Sequence, residues 1–274
     1  MSTELMMFWT AVTLYGASAF SYVFALMARN DKLFSLGLFS ALGGFVPHVA
    51  VIVMRWTETG ISPFFTISES LTFGVFCSVL IFLVFEFTNK RVRPLGVLIM
   101  PVAFTLLGWA VTLHKDAADS VVPALQSGWI WAHIIGAATG FAAVLTAAGF
   151  GLMYLIKERP TGLLHEKLPD LQTLDVLSYR FVSGGFIMYG LMIVSGAFWS
   201  NQVKGNYWGW DPVEVWSLIS WLTYGIYLHL RVTFGWRGRK LSWYAILAMF
   251  FMILSYWGIP FSMETFHAGF RIEH

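Results

Sequence analysis

The chain has 274 residues, of which 57% are hydrophobic, 18% aromatic and only 12% charged, with a formal net charge of +2 and a mean hydropathy of +0.68. A soluble domain carries about 25% charged residues, so this composition excludes a water-soluble globule, a nucleic-acid binder and a disordered scaffold. The single cysteine, Cys77, sits inside an apolar run, which leaves no CxxC thiol pair and no intrachain disulfide.

About 20 apolar residues cross a hydrocarbon core of roughly 30 Å as a helix. Runs of that kind fall at about 8–28, 33–54, 69–88, 95–113, 128–156, 179–199, 215–234 and 241–259. The expected fold class is an all-α polytopic membrane protein, a bundle of about eight transmembrane helices forming one domain over residues 1–274. The opening MSTELMM has no positive region, and no small-residue cleavage site follows it, which predicts no cleavable signal peptide. Gln126 to Trp131, at the start of the long fifth run, are placed in the membrane interface, where Trp is favoured. Most of the Lys and Arg sit after odd-numbered spans, as in Lys90, Arg91 and Arg93 or Arg231, Arg237, Arg239 and Lys240. The other side holds Arg55, Lys115, Lys204 and Arg271. The positive-inside rule then puts both termini on the extracytoplasmic side.

The segment between the sixth and seventh spans is the most informative. A loop at 200–214 holds Tyr207, Trp208 and Trp210 and runs into Asp211-Pro212-Val213-Glu214. Asp211 reads as an N-cap, Pro212 as the first helical residue and Glu214 as the third, completing a capping box. An aromatic belt at the membrane surface is one reading of these rings. A flat aromatic platform for a large planar apolar ligand is the other, favoured by the clustering and the fixed helix start.

The histidines sharpen the second reading. His133, near the outer start of the fifth span, and His267, after the eighth, lie on the same side as the aromatic loop. Two neutral imidazoles approaching from opposite faces suit a haem iron, although each could instead be an ordinary interfacial histidine. His114 also faces outward and competes as a ligand. Within the membrane, His229 lies roughly 21 Å from the outer end of span seven and His48 roughly 9 Å from that of span two. Ionisable residues in spans default to a functional reading. The two depths keep this pair from holding one ligand, so His229 requires a partner from elsewhere.

Three stretches resemble the CcsA (ResC-type) family of cytochrome c maturation proteins, haem-handling members of the wider group with a tryptophan-rich WWD segment. Arg55-WTETGISPFFTISES-Leu71 resembles R-W-x-x-x-G-x-x-P-x-x-x-x-x-E-S-L, and Leu125-QSGWIWAH resembles L-Q-S-x-W-x-x-x-H. The third, from Gly196 through YWGWDPVE to the His-x-Arg at His229 and Arg231, resembles G-A-x-W-A-N-x-x-W-G-x-Y-W-x-W-D-P-K-E and the H-x-R that follows. Lys204 stands where that pattern has Trp, Val213 where it has Lys, and His267 lies in FHAG rather than in G-L-H-S-Y-G.

The resemblance implies an outward transporter of haem b that presents it for thioether attachment to the CxxCH of apocytochrome c, working with a CcsB-type partner as a holocytochrome c synthase. It implies His133 and His267 as external axial ligands and Tyr207, Trp208, Trp210 and Asp211 as the platform beneath the haem. His229 is implied to receive haem from the inner side, with the opposite ligand supplied by CcsB. Lys204 is a candidate for pairing with a haem propionate or a solvated loop lysine. The expected location is the bacterial cytoplasmic membrane or a thylakoid membrane. Rival readings are a HemX-like haem-sensing regulator of tetrapyrrole synthesis, a haem-bearing subunit of an electron-transfer complex, and the six-span haem exporter CcmC.

Overall fold

A computed structural model describes residues 2–28, 30–59, 66–113, 127–159, 168–259 and 263. Among the described residues eight α-helices follow one another: α1 (Thr3–Ala28), α2 (Asp31–Thr59), α3 (Ile67–Thr88), α4 (Gly96–Thr112), α5 (Gly128–Lys157), α6 (Leu171–Lys204), α7 (Pro212–Thr233) and α8 (Arg239–Ile253). A 3-10 turn, Lys90–Leu95, leads into α4, and a π turn, Leu254–Gly258, prolongs α8. No strand occurs among the described residues. Among the described residues, six helical segments are long and apolar enough to cross a membrane by length and composition. The polytopic all-α expectation is met, and α7 and α8, with Glu214, His229 and Arg231 on α7, complete the eight.

α1 packs on α2 and α4, α3 bridges α4 to α5, and α5 pairs along its length with α6, while α7 and α8 close against α6 and α5. The sequence of α5 explains its central place. Its GAATGFAAVLTAAGFG stretch is built of small residues, which let neighbouring backbones approach where lipid offers no hydrophobic drive. Accordingly 72% of its most apolar stretch is buried, against 28% for α6. Large apolar side chains such as Phe24, Phe39, Ile187 and Val232 remain exposed, as expected for a surface solvated by lipid tails.

His48 is structural. It is fully buried, and its ring bridges three helices. Nε2–H donates to the Thr72 carbonyl of α3 at 3.0 Å, and Nδ1 accepts from the Tyr15 hydroxyl of α1 at 3.0 Å. With both nitrogens committed, no lone pair remains for a ligand. The functional default for intramembrane histidines therefore gives way here to a hydrogen-bonded strut.

At the basic end of the bundle a buried ion pair ties α6 to α7. Arg231 on α7 meets Asp175 on α6 through two parallel bonds of 3.0 and 2.7 Å and lies 4.4 Å over the Tyr179 ring. Asp175 also accepts from the Gly238 backbone N–H at 2.7 Å, fastening the start of α8 to the same carboxylate. Where α6 begins, the hydroxyl and N–H of Thr173 hold the capping Asp170 carboxyl below the usual carboxylate range. Asp175→Ala leaves a guanidinium without its carboxylate, and such a loss costs about 3 kcal/mol. Scanning fluorimetry of the purified protein in detergent is expected to show a lower unfolding midpoint, partly recovered in the double variant Asp175→Ala/Arg231→Met.

Candidate functional site

The site begins where α5 meets α6. A Cβ at Gly136 would lie 2.9 Å from the Met188 carbonyl oxygen, and one at Gly140 would lie 2.5 Å from the Tyr189 ring. Only hydrogen at both places lets the two helices come this close. One turn before Gly136, the half-buried His133 reaches across the seam, and its Nδ1–H donates to the Met192 carbonyl at 2.8 Å. The imidazole packs against Gly196, where a Cβ would sit 2.7 Å from Nδ1. This bond fixes the tautomer: the proton is on Nδ1 and the lone pair on Nε2. Metal-ligating histidines use the same arrangement, donating the other N–H to a carbonyl.

Past Gly196, α6 runs on to Lys204 and ends at Gly205 in a left-handed conformation. The aromatic segment follows, and α7 starts with the anticipated cap. Asp211 accepts from the Val213 N–H at 2.9 Å, Pro212 opens the helix, and Glu214 completes the capping box. Glu214 Oε2 accepts from the backbone N–H groups of Gly209 at 2.8 Å and Asp211 at 3.2 Å. Those donors flank Trp210, whose φ of 58° is the only positive value for a non-glycine among the described residues. Lys204 Nζ lies 4.0 Å from Glu214 Oε1. A single carboxylate thus shapes the loop, caps α7 and faces the lysine.

The rings do not form the flat platform expected of them. Trp208 and Trp210 stand at 87° with centroids 6.0 Å apart, the edge-to-face arrangement favoured by aromatic quadrupoles. Tyr207 meets Phe198 edge-on at 5.7 Å, and Phe198 stacks on Trp129 at 4.5 Å.

Between these parts lies an open cleft with an enclosed volume of about 110 Å³, continuous with the surface. His133, Gly196, Ser200, Lys204, Tyr207, Trp208 and Glu214 line it, with Ser70 of α3 and Tyr256 of the π turn. Of the residues singled out from sequence, His133, Lys204, Tyr207 and Trp208 come together here. Trp210 is 75% exposed and, like Asp211, stands outside the lining. His229 is exposed near the far end of α7, with Thr233 Oγ1 3.2 Å from its Nδ1. His267 and His114 lie outside the described residues.

The other resembling stretches turn out to frame this end of the bundle. Arg55 pairs with Glu69 at 2.9 Å, and Glu69 forms a capping box with Thr66 at the start of α3. Ser127 accepts from the Trp129 N–H to cap α5 and donates to Gln202 on α6. Sequence reading missed Ser200, Gly196 and the Met192 carbonyl. The available signal was the row Met192, Gly196, Ser200 and Lys204, at one-turn spacing along α6.

A family profile described as Cytochrome C assembly protein matches residues 64–267. The protein named Cytochrome c biogenesis protein CcsA of Chlamydomonas reinhardtii is 33% identical over 80% of this chain and 64% of its own length. Its namesake in Chlorella vulgaris is 30% identical, over 95% of this chain and 90% of that one. Among solved structures, Cytochrome c Heme Lyase CcmF superposes with a TM-score of 0.71 at 16% identity, covering 98% of this chain and 48% of that chain. That likeness is one of fold, and this chain spans about half of the larger protein. Gly196→Ala is expected to push the imidazole off the Met192 carbonyl. The test is the ¹⁵N spectrum of His133, in which the single Nδ1–H tautomer gives way to a mixture.

Proposed function

The chain belongs to the cytochrome c assembly protein family and works in cytochrome c maturation, and we propose that it carries haem b across the membrane and presents it in the cleft beside His133. The observation that carries this reading is the 2.8 Å bond from His133 Nδ1–H to the Met192 carbonyl. It sets the tautomer of an imidazole at the wall of a cleft that Tyr207, Trp208 and Lys204 also line, an arrangement that suits an iron porphyrin. His267 is the proposed opposite ligand on the strength of the sequence resemblance.

The haem is cargo. It supplies vinyl groups across which the two thiols of an apocytochrome CxxCH add, each sulfur bonding one vinyl carbon while the proton goes to the other. The chain's own residues bind and orient. His133 holds the metal, Tyr207 and Trp208 flank the ring, and Glu214 fixes the loop that Trp210 and Asp211 belong to. Lys204 offers positive charge at the cleft. His229 is assigned to the inner side. Arg231, two residues on and so on nearly the opposite face of α7, is tied to Asp175, which leaves the imidazole exposed for a ligand opposite it from a CcsB-type partner. About 25 Å of helix separates His229 from the start of α7, so the two sites serve successive positions of the haem. The whole chain acts as one helical domain, with the cleft on the extracytoplasmic side of a bacterial cytoplasmic or a thylakoid membrane.

The test is the absorption spectrum of protein purified from haem-replete cells. The native chain is expected to give a low-spin haem spectrum. His133→Ala is expected to lose haem by at least the roughly 10–100-fold that loss of a mere second-shell partner costs a metal site, with added imidazole restoring it. A full low-spin spectrum in His133→Ala would remove the assignment. His229→Ala is expected to lower the haem loaded in cells while leaving binding of haem added from outside intact.

A further inference from the structure

Ser200 lines the cleft, is 4% exposed, and its Oγ is buried with no hydrogen-bond partner in the protein. Other serines of the bundle behave differently. Ser195, on the same helix, donates to the Leu191 carbonyl at 2.6 Å, Ser178 to Ala147 at 3.1 Å, and Ser78 to Gly74 at 2.8 Å. A buried hydroxyl left without a partner keeps its full desolvation cost, so an orphan at a cleft wall points to something that binds there.

Lys204 lies one turn further along the same face of α6, about 6 Å away by helix spacing, and lines the same cleft. Gly196, the seat of His133, lies one turn before Ser200. The imidazole, the hydroxyl and the ammonium therefore mark one stripe along α6, about 12 Å from Gly196 to Lys204. Glu214 shares this end of the cleft. Its Oε2 is held by two backbone N–H groups, and its Oε1 is 4.0 Å from the ammonium, beyond hydrogen-bond reach. An ammonium has three donors and can serve two carboxylates.

We propose that Ser200 and Lys204 form a seat for a carboxylate arm of the bound porphyrin, the hydroxyl donating one hydrogen bond and the ammonium supplying the counter-charge. This rests on the reading of the cleft as a haem site. It adds that the site selects free propionates and sets the porphyrin's rotation about the iron–His133 axis. A hydrogen bond and an ion pair converging on one carboxylate are directional as well as favourable, so the ring is held in one orientation.

The experiment compares binding of haem and of haem dimethyl ester, whose carboxylates are capped, to the purified full-length chain in neutral detergent, followed by Soret absorbance. The native protein is expected to prefer haem by roughly tenfold or more, as for a charged hydrogen bond. Ser200→Ala is expected to narrow that preference about threefold and Lys204→Met about tenfold, with Ser200→Thr keeping it. An unchanged preference in both variants, or no preference in the native chain, overturns the seat while leaving the haem site standing. Failure of the native chain to bind either porphyrin overturns the haem site, and the seat falls with it.

Discussion

The hydrogen bond between His133 Nδ1–H and the Met192 carbonyl is the constraint on which the site depends. It requires α5 and α6 to approach to a distance that Gly136, Gly140 and Gly196 permit and that any side chain there would prevent. Packing, in this way, decides a protonation pattern. The same small residues that bring two helices together in lipid also determine which imidazole nitrogen carries the lone pair. A change of one methyl group at the seam reaches the far nitrogen of the imidazole without touching it.

Three histidines of one chain show how far environment determines role. His48 has both nitrogens bonded, to Tyr15 and Thr72, and serves as a strut. His133 has Nδ1 bonded to the Met192 carbonyl and lines the cleft. His229 stands exposed on a helix whose rotation is set by Arg231 and Asp175. Membrane depth distinguishes none of these cases. What distinguishes them is which donors and acceptors the neighbouring helices bring within reach, and that set belongs to the tertiary fold.

Much of the architecture is legible in the sequence because the bilayer imposes it. Eight apolar runs become eight helices, with ends shifted by a few residues where Lys204 or Thr59 extends a helix beyond its apolar stretch. The cap at Asp211-Pro212-Val213-Glu214 is equally legible, since it is made by side chains acting on backbone within one turn. The cleft was half legible. Lys204, Tyr207, Trp208 and His133 stand out by type and place, whereas Ser200 is one serine among many until α5 and α6 are seen to leave its hydroxyl unanswered. Ring orientation was not legible. Sequence counts indoles, and only the turn at Gly205 and the clamp at Glu214 decide that Trp208 and Trp210 meet edge to face.

Trp210 carries a wider consequence. A bulky residue in a left-handed backbone conformation costs on the order of 1–3 kcal/mol, and glycine at that position would be relieved of it. The indole gains little burial in exchange, being 75% exposed. The backbone N–H groups on both sides of it are held by the Glu214 carboxylate, so the cap that starts α7 also projects this indole past the protein's own surface.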